Sequence, residues 1–466
     1  MSKELIELFY LVAAVLFILG LKGLAHPRTA VRGNLLGSAG MLLAIVVTLL
    51  DNRIVSFEVI VAGVVVGALV GAFMAYRAPM TAIPQVVAVF NGFGGGASAL
   101  AVGAALEEAL QGGFVEEIDF QFTLSAALAA MIGAVSLTGS GIAFGKLQGL
   151  IKERPVLLPG RHAINLLLVL TCLGLGVWLV AEPTTSLSFW ILVGAASLLG
   201  VLLVIPIGGA DMPVVISLLN AYSGIAAAGH GWVLNNSVLI IAGSLVGAAG
   251  FILTAMMCRA MNRSLANVIF AGVGAEVATE TDSDDIYAGR VKSASPEEVA
   301  LLLEGARRVV IAPGYGMAVA QAQYAVQDLT AELESRGVEV QFAIHPVAGR
   351  MPGHMNVLLA EANVPYEKLK DMDEINPTFR QTDVVLVVGA NDVVNPLARE
   401  EDPSIPIAGM PILNVDEARS VIVIKRTLSP GFAGIANPLF AAENTLMLFG
   451  DAKQMATEML AALKEI

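Results

Sequence analysis

The chain has 466 residues, 56% of them hydrophobic and only 14% charged, where a soluble domain carries roughly a quarter charged residues. Its net charge of −13 excludes a nucleic-acid partner gripped through a basic face, because neutralising phosphates needs clustered Lys and Arg. The two cysteines, Cys172 and Cys258, lie in apolar stretches with no CxxC pair, which excludes a disulfide framework and a thiolate metal site; no metal is expected.

The charge deficit is local. Residues 1–263 are almost free of charge between loops, whereas 280–466 has the composition of an acidic globular domain. A helix needs about 20 apolar residues to cross the hydrocarbon layer. Nine such candidates lie near 5–25, 34–50, 54–76, 84–106, 121–145, 163–181, 186–207, 212–234 and 236–260, the second of them short. The first has neither the basic region nor the A-x-A pattern of a cleaved signal, so it is expected to remain as a span. Loops after odd-numbered spans hold Lys22, Arg28 and Arg32, then Arg77, then Lys146, Lys152, Arg154 and Arg161, and finally Arg259 and Arg263. Loops after even-numbered spans hold Arg53 and the acidic Glu107, Glu108, Glu116, Glu117 and Asp119. This bias places the N-terminus outside and the C-terminal part in the cytoplasm, or in the matrix of an organelle.

Small residues recur at four-residue spacing in "NGFGGGASALAVGAA" (91–105), "GAVSLTGSGIAFG" (133–145) and "IAGSLVGAAG" (241–250), a pattern that lets helix backbones approach closely in lipid. Polar groups inside spans carry more information, since lipid penalises unpaired ones. They include Asn91, Ser136, Thr138, Ser140, Asp211, Asn220, Tyr222, Ser223 and His230. Asp211 opens the eighth span in "GGADMPVVISLLNAYSG" (208–224), and Asn220 follows nine residues later, about 13 Å deeper at 1.5 Å per residue. Two readings of Asp211 stand side by side: the mouth of a hydrated path, or an N-cap before an early helical proline. His230 reads as interfacial. No span has a carboxylate or lysine near its middle, so a complete proton relay in this chain alone is not expected.

Residues 264–292 read as a linker between a transmembrane domain over 1–263 and a nucleotide-binding domain over 293–466. "SPEEVALLLEGA" (295–306) opens a helix, with Ser295 and Glu298 as a capping box and Pro296 in the first position. "RRVVIAPGYGMAVAQAQYAVQDLTAELESRG" (307–337) then reads strand, glycine turn and, from Met317, helix; "VEVQFAIHPVAG" (338–349) is the second strand. Further strands are predicted in 383–392, 411–415 and 420–426, with helices in 353–365 and 450–466. Alternating strand and helix predicts a Rossmann-like, doubly wound parallel sheet. Gly314-x-Gly316-x-x-Val319 fits the first two fingerprint glycines of a dinucleotide site, Gly314 for a tight turn and Gly316 for backbone approach to a pyrophosphate, while Val319 replaces the third small residue. The second strand ends in Ala343, Ile344 and His345, without the acid that holds an NAD ribose, and Arg350 follows. Lys425-Arg426 ends the last strand, where an arginine can fork onto a 2′-phosphate; these facts favour NADP(H), against an ordinary solvated loop start.

"GYGMAVAQAQ" (314–323), "IHPVAGRMPGHMNVLLAEA" (344–362), "VVGANDVVNP" (387–396), "VIVIKR" (421–426), "LFGDAK" (448–453), "GGADMPVVISLLNAYSG" and "MCRAMNRS" (257–264) together closely resemble the beta subunit of the proton-translocating NAD(P) transhydrogenases. The resemblance covers nearly the whole chain. It implies hydride transfer between NAD(H) and NADP(H) coupled to proton movement, with NADP(H) on this chain. NAD(H) would sit on an alpha subunit that also brings further membrane helices, in a dimer of the paired subunits within a bacterial inner membrane. By resemblance, Gly314, Tyr315, Gly316, Ala318 and Val319 form the nucleotide turn, and Lys425 and Arg426 the 2′-phosphate clamp. Gly389, Ala390, Asn391 and Asp392 form a loop near the nicotinamide, with Asp392 the catalytic candidate. His345, Val347, Ala348, Gly349 and Arg350, and Gly450, Asp451 and Ala452 up to Lys453, fall in cofactor-side loops. Asn91, Asp211, Asn220 and Arg263 match positions linked to proton passage or coupling. Some members have a histidine where this chain has Asn91; an amide does not titrate, which points to a histidine of the partner subunit instead.

Two other readings fit parts of the chain. A secondary transporter with a nucleotide-sensing regulatory domain would carry an internal repeat, and none is visible. A membrane-anchored dehydrogenase would need an acid–base pair, for which His345 and Asp392 are the candidates, and a substrate domain that the chain lacks.

Overall fold

The computed structural model describes residues 3–24, 27–50, 57–112, 118–152, 155–270, 286–351, 353–400, 402, 405–431 and 433–466. Arg53, Glu116, Glu117, Arg154 and positions 271–285 of the expected linker lie outside the described residues. The chain divides into two compact units, Met1–Gly208 with Val215–Thr254, and Gly209–Val214 with Ala255–Ile466.

Each predicted span has its helix among the described residues: α1 (Lys3–Leu24), α2 (Pro27–Leu49), α3 (Phe57–Arg77), α4 (Ile83–Gln111), α5 (Phe120–Leu147), α6 (Arg161–Ala181), α7 (Leu187–Val204), α8 (Met212–Val233) and α9 (Ser237–Ala260). All nine are long and apolar enough to cross a bilayer, so the protein is a multi-pass membrane protein. α2 starts seven residues before its predicted edge; Pro27 suits a first helical turn, and the Thr, Asn and Gly that follow dilute the apolar signal. The glycine run of α4 stays helical because α5 lies against it. A methyl on Gly95 would sit 2.7 Å from the carbonyl of Gly133 and 2.8 Å from Ser136 Cβ. Gly23 against Gly33 and Gly250 against Ala221 repeat this close backbone approach.

The second unit holds a sheet of six parallel strands: β1 (Arg308–Pro313), β2 (Glu339–Ile344), β3 (Leu369–Asp371), β4 (Val384–Val388), β5 (Ser420–Lys425) and β6 (Thr445–Phe449), in the order β3-β2-β1-β4-β5-β6. Val309 and Ile311 face one side of β1 and Val310 and Ala312 the other, and all four are fully buried, as a sheet covered on both faces requires. Helices Pro296–Glu304, Gln323–Ser335 and Ala452–Glu465 pack together on one face. Phe379, Leu413, Leu439 and Phe440 fill the other. The capping box at Ser295 and Glu298 is present.

The predicted strand at 411–415 is not one. Pro411 has no amide to donate, and residues 411–414 run irregularly into a single 3-10 turn, Val415–Glu417. Ile412 and Leu413 are buried all the same, so their apolar signal reported burial rather than pairing. The edge strands β3 and β6 were not anticipated. The helix expected from Met317 is broken: Tyr315–Val319 ends at Gln321, whose φ is +49°, before Gln323–Ser335 begins. Residues 286–292, read as linker, pack on the sheet domain. Tyr287 stacks on Phe440, and Lys292 and Ala294 exchange backbone hydrogen bonds with Met447 of β6.

Candidate nucleotide-binding site

In a parallel sheet every strand ends at the same edge, and the order turns back between β1 and β4, the switch point where such folds bind ligands. The structure gathers the sequence candidates there. Gly314–Val319 follow β1, His345–Arg350 follow β2, Gly389–Asp392 follow β4, Lys425 and Arg426 end β5, and Gly450–Ala452 follow β6.

The glycines are explained first by the protein itself. A methyl on Gly314 would collide with the Gly389 carbonyl and Ala390 backbone, and one on Gly316 would sit 2.7 Å from Gly389 Cα. The Gly316 amide donates to the Gly389 carbonyl at 2.9 Å, and Gly389 itself has φ +67°. The close approach that Gly316 permits is thus to the turn after β4, and the two loops of the switch point are locked together. Ala318 is buried and Val319 exposed.

Arg350 lays its guanidinium 4.4 Å from the centroid of the Tyr315 ring. Its amide donates to Nδ1 of buried His354 at 3.1 Å, and Gly349, at φ +103°, passes so close to that ring that a side chain there would strike it. Val347 is half-buried and Ala348 buried.

His345 is 1% exposed. Its Nδ1 accepts from the Val347 amide at 3.2 Å, so Nε2 carries the proton and donates to the Pro411 carbonyl at 2.8 Å. Burial pushes its pKa down to about 4, against a smaller upward pull from Pro411. A neutral ring with both nitrogens taken by backbone is no acid or base at neutral pH, which removes the acid–base pair the dehydrogenase reading needed.

Asp392 Oδ2 accepts from the Ala433 amide at 3.1 Å, and its carboxylate lies against Gly431, where a methyl would overlap it. Asn391 is held by Asn437, whose Nδ2 donates to the Asn391 carbonyl at 3.1 Å, and Ala390 is buried. Lys425 points inward: Nζ donates to the Ser429 carbonyl and stands 4.9 Å from the Phe440 ring centroid. Desolvation lowers its pKa to about 8, with the Asp392 charge pulling upward. Arg426 is exposed and makes no hydrogen bond or ion pair among the described residues. Asp451 caps the last helix, accepting from Lys453 and Gln454 amides at 3.0 and 3.3 Å; Gly450 and Ala452 flank it. Sequence reading stopped at the loop 425–434 and missed Asn437 and Phe440; their signal was the continuation "GFAGIANPLF" that follows the basic pair.

A sequence model of the NAD(P) transhydrogenase beta subunit matches residues 6–462. The NAD(P) transhydrogenase subunit beta of Rhodospirillum rubrum is 48% identical over 465 residues, covering 99% of this chain and 100% of the relative, and the sequence from strain ATCC 11170 of that species matches equally. The chain belongs to the NAD(P) transhydrogenase beta subunit family. The carboxyl edge above is therefore that of a transhydrogenase beta subunit, an oxidoreductase that transfers hydride between NAD(H) and NADP(H).

The transhydrogenase motifs of the membrane half meet in two places. Asp211, 5% exposed, accepts at Oδ2 from Arg263 Nη1 at 2.7 Å, while its Oδ1 is buried without a partner among the described residues. Asp211 lies in a 3-10 turn, Gly209–Asp211, and its carboxylate is spent on Arg263 rather than on the first amides of α8. Asn91 Nδ2 donates to the Ile216 carbonyl at 3.2 Å; Ser223 Oγ donates to the Asn91 carbonyl at 2.7 Å and lies 2.6 Å from Ser136 Oγ. Asn220 is half-buried, and its side chain makes no hydrogen bond among the described residues.

Proposed function

We propose that residues 293–466 bind NADP(H) along the carboxyl edge of the sheet while residues 1–263, with Asn91, Asp211, Asn220 and Arg263, handle the proton, the two joined through 264–292. The donor set fits the phosphorylated cofactor. Arg426 is a permanent cation with no protein partner among the described residues, and Lys425 is an ammonium next to it in sequence. Gly314 and Gly316 let the turns after β1 and β4 meet backbone to backbone at the switch point. Tyr315 and Arg350 present a stacked ring and guanidinium at the same edge.

When bound, the nicotinamide supplies the hydride chemistry, and the protein's part is to place it and to exclude water. Asp392, held by the Ala433 amide and lying against Gly431, would orient the cofactor end nearest the switch point. One nucleotide fold supplies half of a redox site, so a partner alpha subunit carrying NAD(H) completes it; we place the pair in a dimer of alpha–beta units. The Lys and Arg bias supports an N-terminus outside and a sheet domain inside, and membership of the family supports the inner membrane of a bacterium as its location.

Arg426, without a side-chain partner among the described residues, carries the NADP assignment. Arg426→Ala in the full chain should weaken NADPH at least tenfold by calorimetry and leave NADH unchanged. Equal losses for the two nucleotides would remove the 2′-phosphate clamp.

A further inference from the structure

Lys146 is 0% exposed, a fully buried cation among the described residues. It sits in the last turn of α5, and no carboxylate bonds to it among the described residues. Its Nζ donates to the carbonyls of Ile205 and Ile207, at 2.6 and 2.7 Å. These are carbonyls just past the end of α7, where a helix leaves its acceptors without intrahelical amide partners; the one at 205 also takes a 3.4 Å bond from the Val156 amide. An ammonium in so apolar a place is costly unless its donors are used, and here they close off another helix.

The rest of the α5–α7 seam is equally tight. Thr138 Oγ1 donates to the Ser197 carbonyl at 2.8 Å, and a methyl on Gly200 would overlap that hydroxyl. From α4, Gln85 Nε2 donates to the Leu147 carbonyl at 3.2 Å. Lys146 is thus the side chain that bridges both ends of 205–207, with the Val156 amide adding its longer bond to the Ile205 carbonyl, and the chain runs on directly into Gly208 and Gly209.

We propose that Lys146 is a positioning residue for proton coupling: its ammonium gives the backbone entering the Gly209–Asp211 turn a single path. The proposal rests on the transhydrogenase reading and deepens it. The Asp211–Arg263 pair belongs to the turn that this backbone delivers, so loosening 205–207 uncouples proton movement while leaving NADP(H) binding intact.

The test uses the enzyme assembled with its alpha partner in vesicles. Lys146→Met should lower the number of protons moved per hydride at least fivefold, read with a pH-sensitive dye while NADPH reduces an NAD analogue. NADPH affinity should stay within threefold. Amides of 205–211 should exchange deuterium at least tenfold faster, with the sheet strands unchanged. Lys146→Arg, which keeps a cationic donor, should restore coupling to within threefold. Unchanged exchange at 205–211, or a rate loss with an unchanged proton-to-hydride ratio, overturns the proposal. Should Lys146→Met not accumulate, Lys146→Gln, with one amide donor type, is read by the same criteria. Loss of NADPH binding in the parent enzyme would instead sink the underlying functional reading.

Discussion

Lys425, in the proposed site, and His345, behind it, lead to two pH dependences. With a pKa near 8, Lys425 is mostly charged at pH 7 and mostly neutral at pH 9. A phosphate favours the charged form, so NADPH affinity should fall by roughly tenfold between those values, one pKa unit being 1.36 kcal/mol. Lys425→Arg, charged throughout, should flatten the profile; calorimetry from pH 7 to 9 checks this. His345 works through stability. Its folded pKa of about 4 lies below the unfolded 6.5, so the unfolded chain binds a proton first as pH falls. Its contribution is complete above pH 6.5 and is lost on the way down to 4, on the order of 3 kcal/mol. Hydrogen exchange of the strand amides should show that acid slope in the wild type and a shallower one in His345→Asn. An identical slope in both would assign the effect elsewhere.

At the scale of elements, the switch point is built backbone to backbone. The turn after β1 and the turn after β4 leave no room for a methyl at Gly314. Gly314→Ala should therefore cost about 1–3 kcal/mol through overpacking, beyond any contact with ligand. Urea unfolding of the sheet domain, followed with and without NADPH, measures both parts. A neutral Gly314→Ala would mean that the two turns part easily and that the glycine serves the ligand alone. The broken helix after Met317 belongs to the same device: Gln321 at φ +49° ends a five-residue helix, so the fingerprint turn and the longer helix Gln323–Ser335 are separately placed.

For the whole molecule, the described residues hold one six-stranded parallel sheet and nine helices long and apolar enough to span a bilayer, and the proposed function divides the labour between them. Transhydrogenation needs a second nicotinamide beside the first. Purified alone, the chain should bind NADPH and transfer no hydride to an NAD analogue; the alpha partner should restore transfer. Turnover by the isolated chain would refute the half-site. Linkage makes the coupling mutual, so the redox state of bound NADP must shift proton affinity as much as protonation shifts cofactor affinity.

Much of this was legible in the chain itself. Runs of apolar residues of bilayer length must become helices, because lipid offers no other partner for backbone amides. The period-free valine runs of β1, β4 and β5 and the glycine turn between strand and helix mark a parallel nucleotide fold, and the long motifs mark the family. Edge strands were not legible: Leu369–Asp371 is too short to show a pattern, and 411–415 carries a strand's composition in a segment whose proline cannot join a ladder. Packing alone decided which polar groups meet. Neither Asp211 with Arg263, 52 residues apart, nor Lys146 with Ile207, 61 apart, leaves a trace in local spacing. Local sequence sets the solvent and the element, since both act residue by residue; pairing across the fold depends on how helices and loops close on one another, which no short stretch encodes.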